Sequence, residues 1–86
     1  MTITTGQGQA GLTPIQIDGL HQMPYRLTLQ NGEQDHLFIG NQDVTINNGF
    51  ILEKGQLLQV IVNPLDVLYA VSTKTPHLFS WLRETL

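Results

Sequence analysis

The sequence predicts an all-β domain, a small antiparallel β-sandwich of jelly-roll-like type with an extended N-terminal arm. Three observations lead there. Apolar and polar residues alternate over short runs, as in "YRLTLQ", where Tyr25, Leu27 and Leu29 face one way and Arg26, Thr28 and Gln30 the other. This period of two marks a half-buried strand. Turn chemistry recurs at Asn31-Gly32, Asn47-Asn48-Gly49, Lys54-Gly55 and Asn63-Pro64, and short strands at about 8–12-residue spacing read as a sandwich or barrel. No segment before residue 76 sustains a helical period.

Residues 1–11, "MTITTGQGQAG", are polar and rich in Gly, Gln and Thr. They read as a flexible arm, because such a segment buries too little apolar area to order itself. The sandwich domain then spans 12–86. After Pro14, "PIQID" sets Ile15 and Ile17 on one face, and "GLHQMP" reads as a turn or loop. "YRLTLQ" follows, and Asn31-Gly32 is a hairpin-type signal because both residues tolerate positive φ. "HLFIG" is the return strand, "VTI" a short strand after a turn at 41–43, and "FILEK" the next. Lys54-Gly55 leads into "QLLQVIV", where Leu58, Val60 and Val62 alternate with Leu57, Gln59 and Ile61. Pro64 stops that strand, since proline has no N–H for a ladder. "DVLYAVS" sets Leu68 and Ala70 opposite Val67, Tyr69 and Val71. Residues 76–86 admit a strand, with Leu78, Ser80 and Leu82 opposite Phe79, Trp81 and Arg83, or a short helix capped by Thr75 with Pro76 at its first position. The strand is preferred because everything before it is β.

Composition narrows the function. A chain of 86 residues is one domain. Charged residues make up 13%, against roughly 25% in an average globular protein. Such a surface suits burial against partners, although a Gln/Asn/Thr-rich surface is also soluble. Net charge is −3, and the four bases, Arg26, Lys54, Lys74 and Arg83, include no two neighbours. Nucleic-acid binding needs a basic patch to neutralise phosphates, and polybasic membrane binding needs one too, so neither partner is expected. Without cysteine there is no disulfide, zinc-thiolate site or Cys nucleophile. The first residues lack the basic start and apolar run of a signal peptide, and no apolar run approaches the ~20 residues of a membrane helix.

Chemistry-bearing candidates fare poorly. "GQGQAG" (Gly6, Gly8, Gly11) matches G-x-G-x-x-G letter for letter, but a dinucleotide site needs a strand before it and a helix after it. Here Pro14 and a β pattern follow. His21, His36 and His77 fall in three elements without metal-ligand spacing. Asp18, Glu33, Asp35, Asp43, Glu53, Asp66 and Glu84 lie mostly in or beside turns, where a solvated carboxylate is the default. Ser72 and Ser80 have no nucleophile-elbow context. No catalytic, metal, cofactor or small-molecule substrate site is expected, and the chain is not read as an enzyme. Phe79, Trp81, Leu82 and Leu86 form an apolar cluster that serves either as core or as a subunit-interface anchor.

One longer pattern remains. Phe38-Ile39-Gly40, a polar turn, Val44-Thr45, Gly49-Phe50-Ile51-Leu52, Gly55 opening an amphipathic strand, and Leu68-Tyr69-Ala70 follow in that order. The arrangement, over roughly residues 25 to 72, resembles small β-rich structural proteins of tailed bacteriophages. The C-terminal "TPHLFSWLRETL" is longer and more aromatic than that pattern. The resemblance implies a virion part, in first place a capsid decoration (cement) protein that stabilises the head shell by protein–protein contact. It implies the major capsid protein and neighbouring copies of the chain, as a homotrimer, for partners. The implied location is the capsid surface of the virion, after assembly in the bacterial host cytoplasm. A neck, tail or fibre-anchoring subunit is the first alternative. A carbohydrate-binding module contacting the host surface, with Tyr25, Tyr69 or Trp81 as its platform, is the second. The expected subunit or capsid contacts are Thr2, Ile3 and Leu12 of the arm with Phe79, Trp81 and Leu82, since neither segment fits easily inside a sandwich.

Overall fold

The computed structural model describes residues 2–17 and 22–85. Asp18, His21 and Leu86, and the first half of the "GLHQMP" turn, lie outside the described residues. The architecture is the all-β sandwich expected from the sequence, with two antiparallel four-stranded sheets and no helix among the described residues. The strands are β1 (Ile3–Ala10), β2 (Ile15–Gln16), β3 (Tyr25–Asn31), β4 (Leu37–Gly40), β5 (Phe50–Leu52), β6 (Leu57–Val62), β7 (Tyr69–Ser72) and β8 (His77–Thr85).

The first sheet runs β1-β8-β3-β6 and the second β2-β7-β4-β5. The pairs β1·β8, β2·β7, β3·β6 and β4·β5 are all antiparallel. This is the connectivity of one long antiparallel ribbon, closed at the β4–β5 turn and rolled so that successive pairs fall alternately in the two sheets. Strands β1 and β6 are the edges of the first sheet, β2 and β5 those of the second.

Period-two alternation builds the core. Tyr25, Leu27 and Leu29 point inward from β3 and meet Leu37 and Ile39 of β4, Leu52 of β5, Val62 of β6, Ala70 of β7 and Phe79 of β8. A second, smaller cluster lies outside the second sheet, where Phe38 and Val71 are covered by Val44 of the β4–β5 connection, with Tyr69 beside them. The "VTI" stretch is therefore not a strand. It belongs to a turn closed by side chains: the Asn41 carboxamide oxygen accepts from the Asp43 N–H (2.9 Å), and that of Asn48 from the Thr45 N–H (2.8 Å). These short-range bonds fold the loop back so that Val44 seats on Phe38 and Val71.

The polar N-terminal segment is no arm. It is an edge strand of the first sheet, paired with β8 from Ile3↔Glu84 to Ala10↔His77. Its inward positions are small because β8 supplies the bulk. A Cβ at Gly8 would stand 2.6 Å from Cζ of Phe79, and one at Gly6 would collide with the Trp81 ring. Aromatic side chains on the partner strand thus cover the glycines and replace the apolar residues that β1 lacks. The C-terminal segment is a strand, as preferred from the sequence, and it lies inside the sheet between β1 and β3.

Asn31-Gly32 is not a hairpin turn either: β3 lies in the first sheet and β4 in the second, so the chain crosses between layers here. It crosses back between β5 and β6 at Gly55, whose φ of 73° suits glycine. In the β6–β7 connection the exposed Leu65 also takes a positive φ, 67°.

Candidate interaction surfaces

An interior polar network joins the two sheets. Asn31 and His77 come from β3 and β8 of the first sheet, Ser72 from β7 of the second, and each is at most 1% exposed. Asn31 Nδ2 donates to the carbonyls of Asp35 and Leu52, both at 2.8 Å, which leaves Oδ1 as the acceptor. Oδ1 takes the Glu33 N–H (2.9 Å) and lies 2.7 Å from His77 Nε2. Nε2 therefore carries the proton. In neutral imidazole Nδ1 is then the acceptor, and the Ser72 hydroxyl donates to it at 2.7 Å while accepting from the Lys74 N–H at 3.1 Å. No buried side-chain nitrogen or oxygen among the described residues is left without a partner.

This chain of Ser, His and Asn has the order of a hydrolytic relay, but its burial decides the role. A nucleophile must meet a substrate carbonyl within reach of its base, and Ser72 and His77 are both sealed between the sheets. The arrangement acts as an inter-sheet tie. Burial pushes the His77 imidazole below its ordinary pKa, partly opposed by the nearby carboxylates of Glu33 and Asp35. Above it, Lys74 Nζ bonds Glu33 Oε1 at 2.9 Å. That bond and the Leu78 N–H hold the Glu33 carboxyl below its ordinary range, and the same bond raises Lys74. Neither the tie nor its parity was recognised in the sequence, though Asn31 shares the inward set of Tyr25, Leu27 and Leu29, and His77 that of Phe79.

The expected contact residues divide between surface and interior. Ile3 is exposed on the outer face of the first sheet, with half-buried Leu82 on the adjoining strand. Thr2 is exposed, and its N–H donates to Thr85 Oγ1 at 2.9 Å. Phe79 does not reach the surface: at 2% exposure it is core, and the expectation that it would not fit the sandwich is corrected by the space that Gly8 leaves. Trp81 likewise points inward, half-buried over Gly6, with the Arg83 guanidinium 5.6 Å from its ring centroid. Leu12 stands 66% exposed in the β1–β2 connection. Of the aromatics considered for a sugar platform, Tyr25 is buried in the core and Tyr69 is half-buried against the Phe38 cluster.

Exposed apolar side chains among the described residues include Phe50 and Ile51 of the β5 edge, and two further groupings bear on interaction. One is a groove between the β1–β2 and β4–β5 connections, lined by Leu12, Pro14, Val44, Ile46 and Val71. Its upper walls, Leu12 and Ile46, are open to solvent. The other is the free edge of β6, where Leu57 and Ile61 are exposed on the outer face. Between these and the apolar Ile3, Leu78 and Leu82, the outer face of the first sheet carries a polar band of Thr5, Gln7, Thr28, Gln30 and Ser80, and the Arg26–Glu84 pair lies on it at 3.8 Å. Among the described residues no group of three or more His, Asp or Glu side chains is placed to hold a metal.

No known family model, curated protein or solved structure matches this chain. The functional reading therefore rests on the residues and their geometry.

Proposed function

We propose that this chain is a virion structural protein that decorates a bacteriophage head shell, binding its major capsid protein by protein–protein contact. The observation that carries the reading is the groove of Leu12, Pro14, Ile46 and Val71 on a two-sheet body. Apolar side chains are held open there by two short connections, on a surface with few charges to desolvate. A contact of that kind gains by burial of apolar area, and many weak contacts on a repeating lattice multiply through avidity. The ordered pattern over residues 25 to 72 supports the same reading. So does the rolled-ribbon strand order, which we read as a jelly roll; that architecture recurs in viral capsid domains and also in lectins, and by itself it is analogy.

The test is binding to purified phage heads that lack the protein, followed by sedimentation. The wild-type chain is expected to pellet with heads, and Leu12→Asp and Ile46→Asp to remain in the supernatant while keeping the wild-type far-UV circular dichroism. Binding to isolated tails or necks but not heads would overturn the decoration reading in favour of the neck, tail or fibre alternative. Binding to host polysaccharide alone would overturn it in favour of the carbohydrate module.

A further inference from the structure

An exposed sheet edge presents a row of unpaired N–H and C=O groups, and proteins blunt such edges with lysine, proline, bulges or a covering segment. Strand β6, "LLQVIV", has none of these guards within it. It is an edge strand of six residues, without a charge or proline, and no strand lies beyond it among the described residues. The other edge of the same sheet, β1, is broken up by Gly6 and Gly8 and offers only Ile3 and Ala10 as apolar side chains.

The direction of the free backbone groups follows from the ladder. Asn31 N–H donates to Gln56 C=O at 3.3 Å and Asn31 C=O accepts from Gly55 N–H at 3.0 Å, so Asn31 turns both backbone groups to the β6 side, with Gly55 and Gln56 opposite it as a bulge just ahead of the strand. Antiparallel pairs alternate between hydrogen-bonded and non-hydrogen-bonded types. Counting along the register, Leu58, Val60 and Val62 bond to β3, and Leu57, Gln59 and Ile61 turn their N–H and C=O groups to the free edge. The Gln59 carboxamide bonding Thr28 Oγ1 across the strands at 3.1 Å agrees with the close approach of a non-hydrogen-bonded pair.

We infer that β6 pairs antiparallel with β6 of a second copy of this chain, about a two-fold axis through Gln59. A two-fold perpendicular to the sheet keeps outer face with outer face only when paired positions share parity. Centring on Gln59 sets Leu57 opposite Ile61 of the second copy on the outer face, twice, and Leu58 opposite Val60 on the inner face, twice. The two Gln59 residues meet at the axis. Every backbone group that β6 leaves free then has a partner, apolar side chains meet apolar side chains, and no charge is apposed. The strand is self-complementary in a way an isologous contact requires, which favours a second copy over an unrelated strand. The two sheets become one of eight strands. This symmetry is two-fold, in place of the three-fold ring that the resemblance implies. It stands apart from the decoration reading: a dimer in solution is neither required nor excluded by binding to a shell.

The experiment is the solution mass of the full chain by light scattering at ~100 μM, with three variants. The wild type is expected at about twice the 9.6 kDa chain mass. Gln59→Pro removes an N–H that faces only the free edge, a position where edge strands tolerate proline; Ile61→Lys adds an edge guard. Both are expected to be monomeric with wild-type far-UV circular dichroism, whereas Gln59→Ala, which keeps the N–H, stays dimeric. Amide exchange of the wild type gives a reading that needs no variant: Leu57, Gln59 and Ile61 gain protection with concentration, and Leu58, Val60 and Val62 are protected throughout. A monomer at that concentration, a mass of three chains, an oligomer that Gln59→Pro and Ile61→Lys leave intact, or concentration-independent exchange at the three amides would each overturn the proposal.

Discussion

The ring of Phe79 fills the place where a side chain at Gly8 would stand, across the β1–β8 pair. A methyl at Gly8 would lie 2.6 Å from Cζ of a ring that is itself only 2% exposed. Gly8→Ala is therefore expected to cost about 1–3 kcal/mol, as overpacking does. Gln7→Ala, pointing outward next to it, should change stability by no more than about 0.5 kcal/mol. Urea denaturation of both variants checks this; a neutral Gly8→Ala would mean that the ring has room to move.

Asn31 holds two carbonyls and one imidazole between the sheets. Asn31→Ala leaves the Asp35 and Leu52 carbonyls and the His77 Nε2–H without that partner, for an expected loss of about 2–4 kcal/mol. Denaturant midpoints measure it. A loss near that of an exposed substitution would show that water replaces the amide freely.

The buried imidazole makes stability depend on pH. The folded pKa of His77 lies below its ordinary value, so on acidification the unfolded chain takes up the proton first. Stability is full above about pH 6.5 and falls as pH drops below it, towards the lowered folded pKa, with a slope of up to about 1.4 kcal/mol per unit. Thermal melts of the wild type between pH 7 and pH 5 should show this fall. In His77→Gln the fall should shrink, whatever the substitution costs at neutral pH. An unchanged slope in that variant would assign the effect elsewhere.

Val44 covers Phe38 and Val71 and is 3% exposed. Val44→Ala should cost roughly 1–3 kcal/mol, the scale of burying a valine side chain, and should loosen residues 41–49 first. Hydrogen exchange read by residue distinguishes this from global softening: faster exchange confined to the connection is expected, and uniform acceleration would contradict the satellite packing.

Leu65 sits at φ 67° with its side chain 64% exposed. A left-handed conformation costs an L-residue about 1–2 kcal/mol, and Asn accepts it more readily than Leu. Leu65→Asn is expected to stabilise by about 0.5–1 kcal/mol, with no packing lost. A destabilised variant would reveal a contact for the leucine that outweighs the strain.

Strands that carry their own apolar alternation were legible from the sequence. Tyr25, Leu27 and Leu29 share one face as read, and so do Leu58, Val60 and Val62; that this face is the core, and that Phe79 and Trp81 belong to it, is set by the packing. β1 was not legible, because "ITTGQGQA" has almost no apolar residue of its own. Its strand character comes from rings on a segment more than seventy positions away, and no local window contains both. "VTI" failed for the converse reason: its β-branched residues suit a strand, but Asn41 and Asn48 side-chain bonds fold the backbone into turns. The surface groove combines Leu12 and Ile46 from two connections, a juxtaposition set only by the rolling of the ribbon.

That rolling also fixes an order of events during synthesis. β8 is the last of the eight strands to be translated, yet it fills the slot between β1 and β3. Until it emerges from the ribosome, the first sheet is two separate pieces, and β1 has nothing to pair with. Completion of the sandwich therefore waits on β8 for its most glycine-rich strand. A nascent chain stalled before residue 77 should therefore hold at most the β3–β6 pair and the second sheet, with Gly6 and Gly8 still waiting for the rings that cover them.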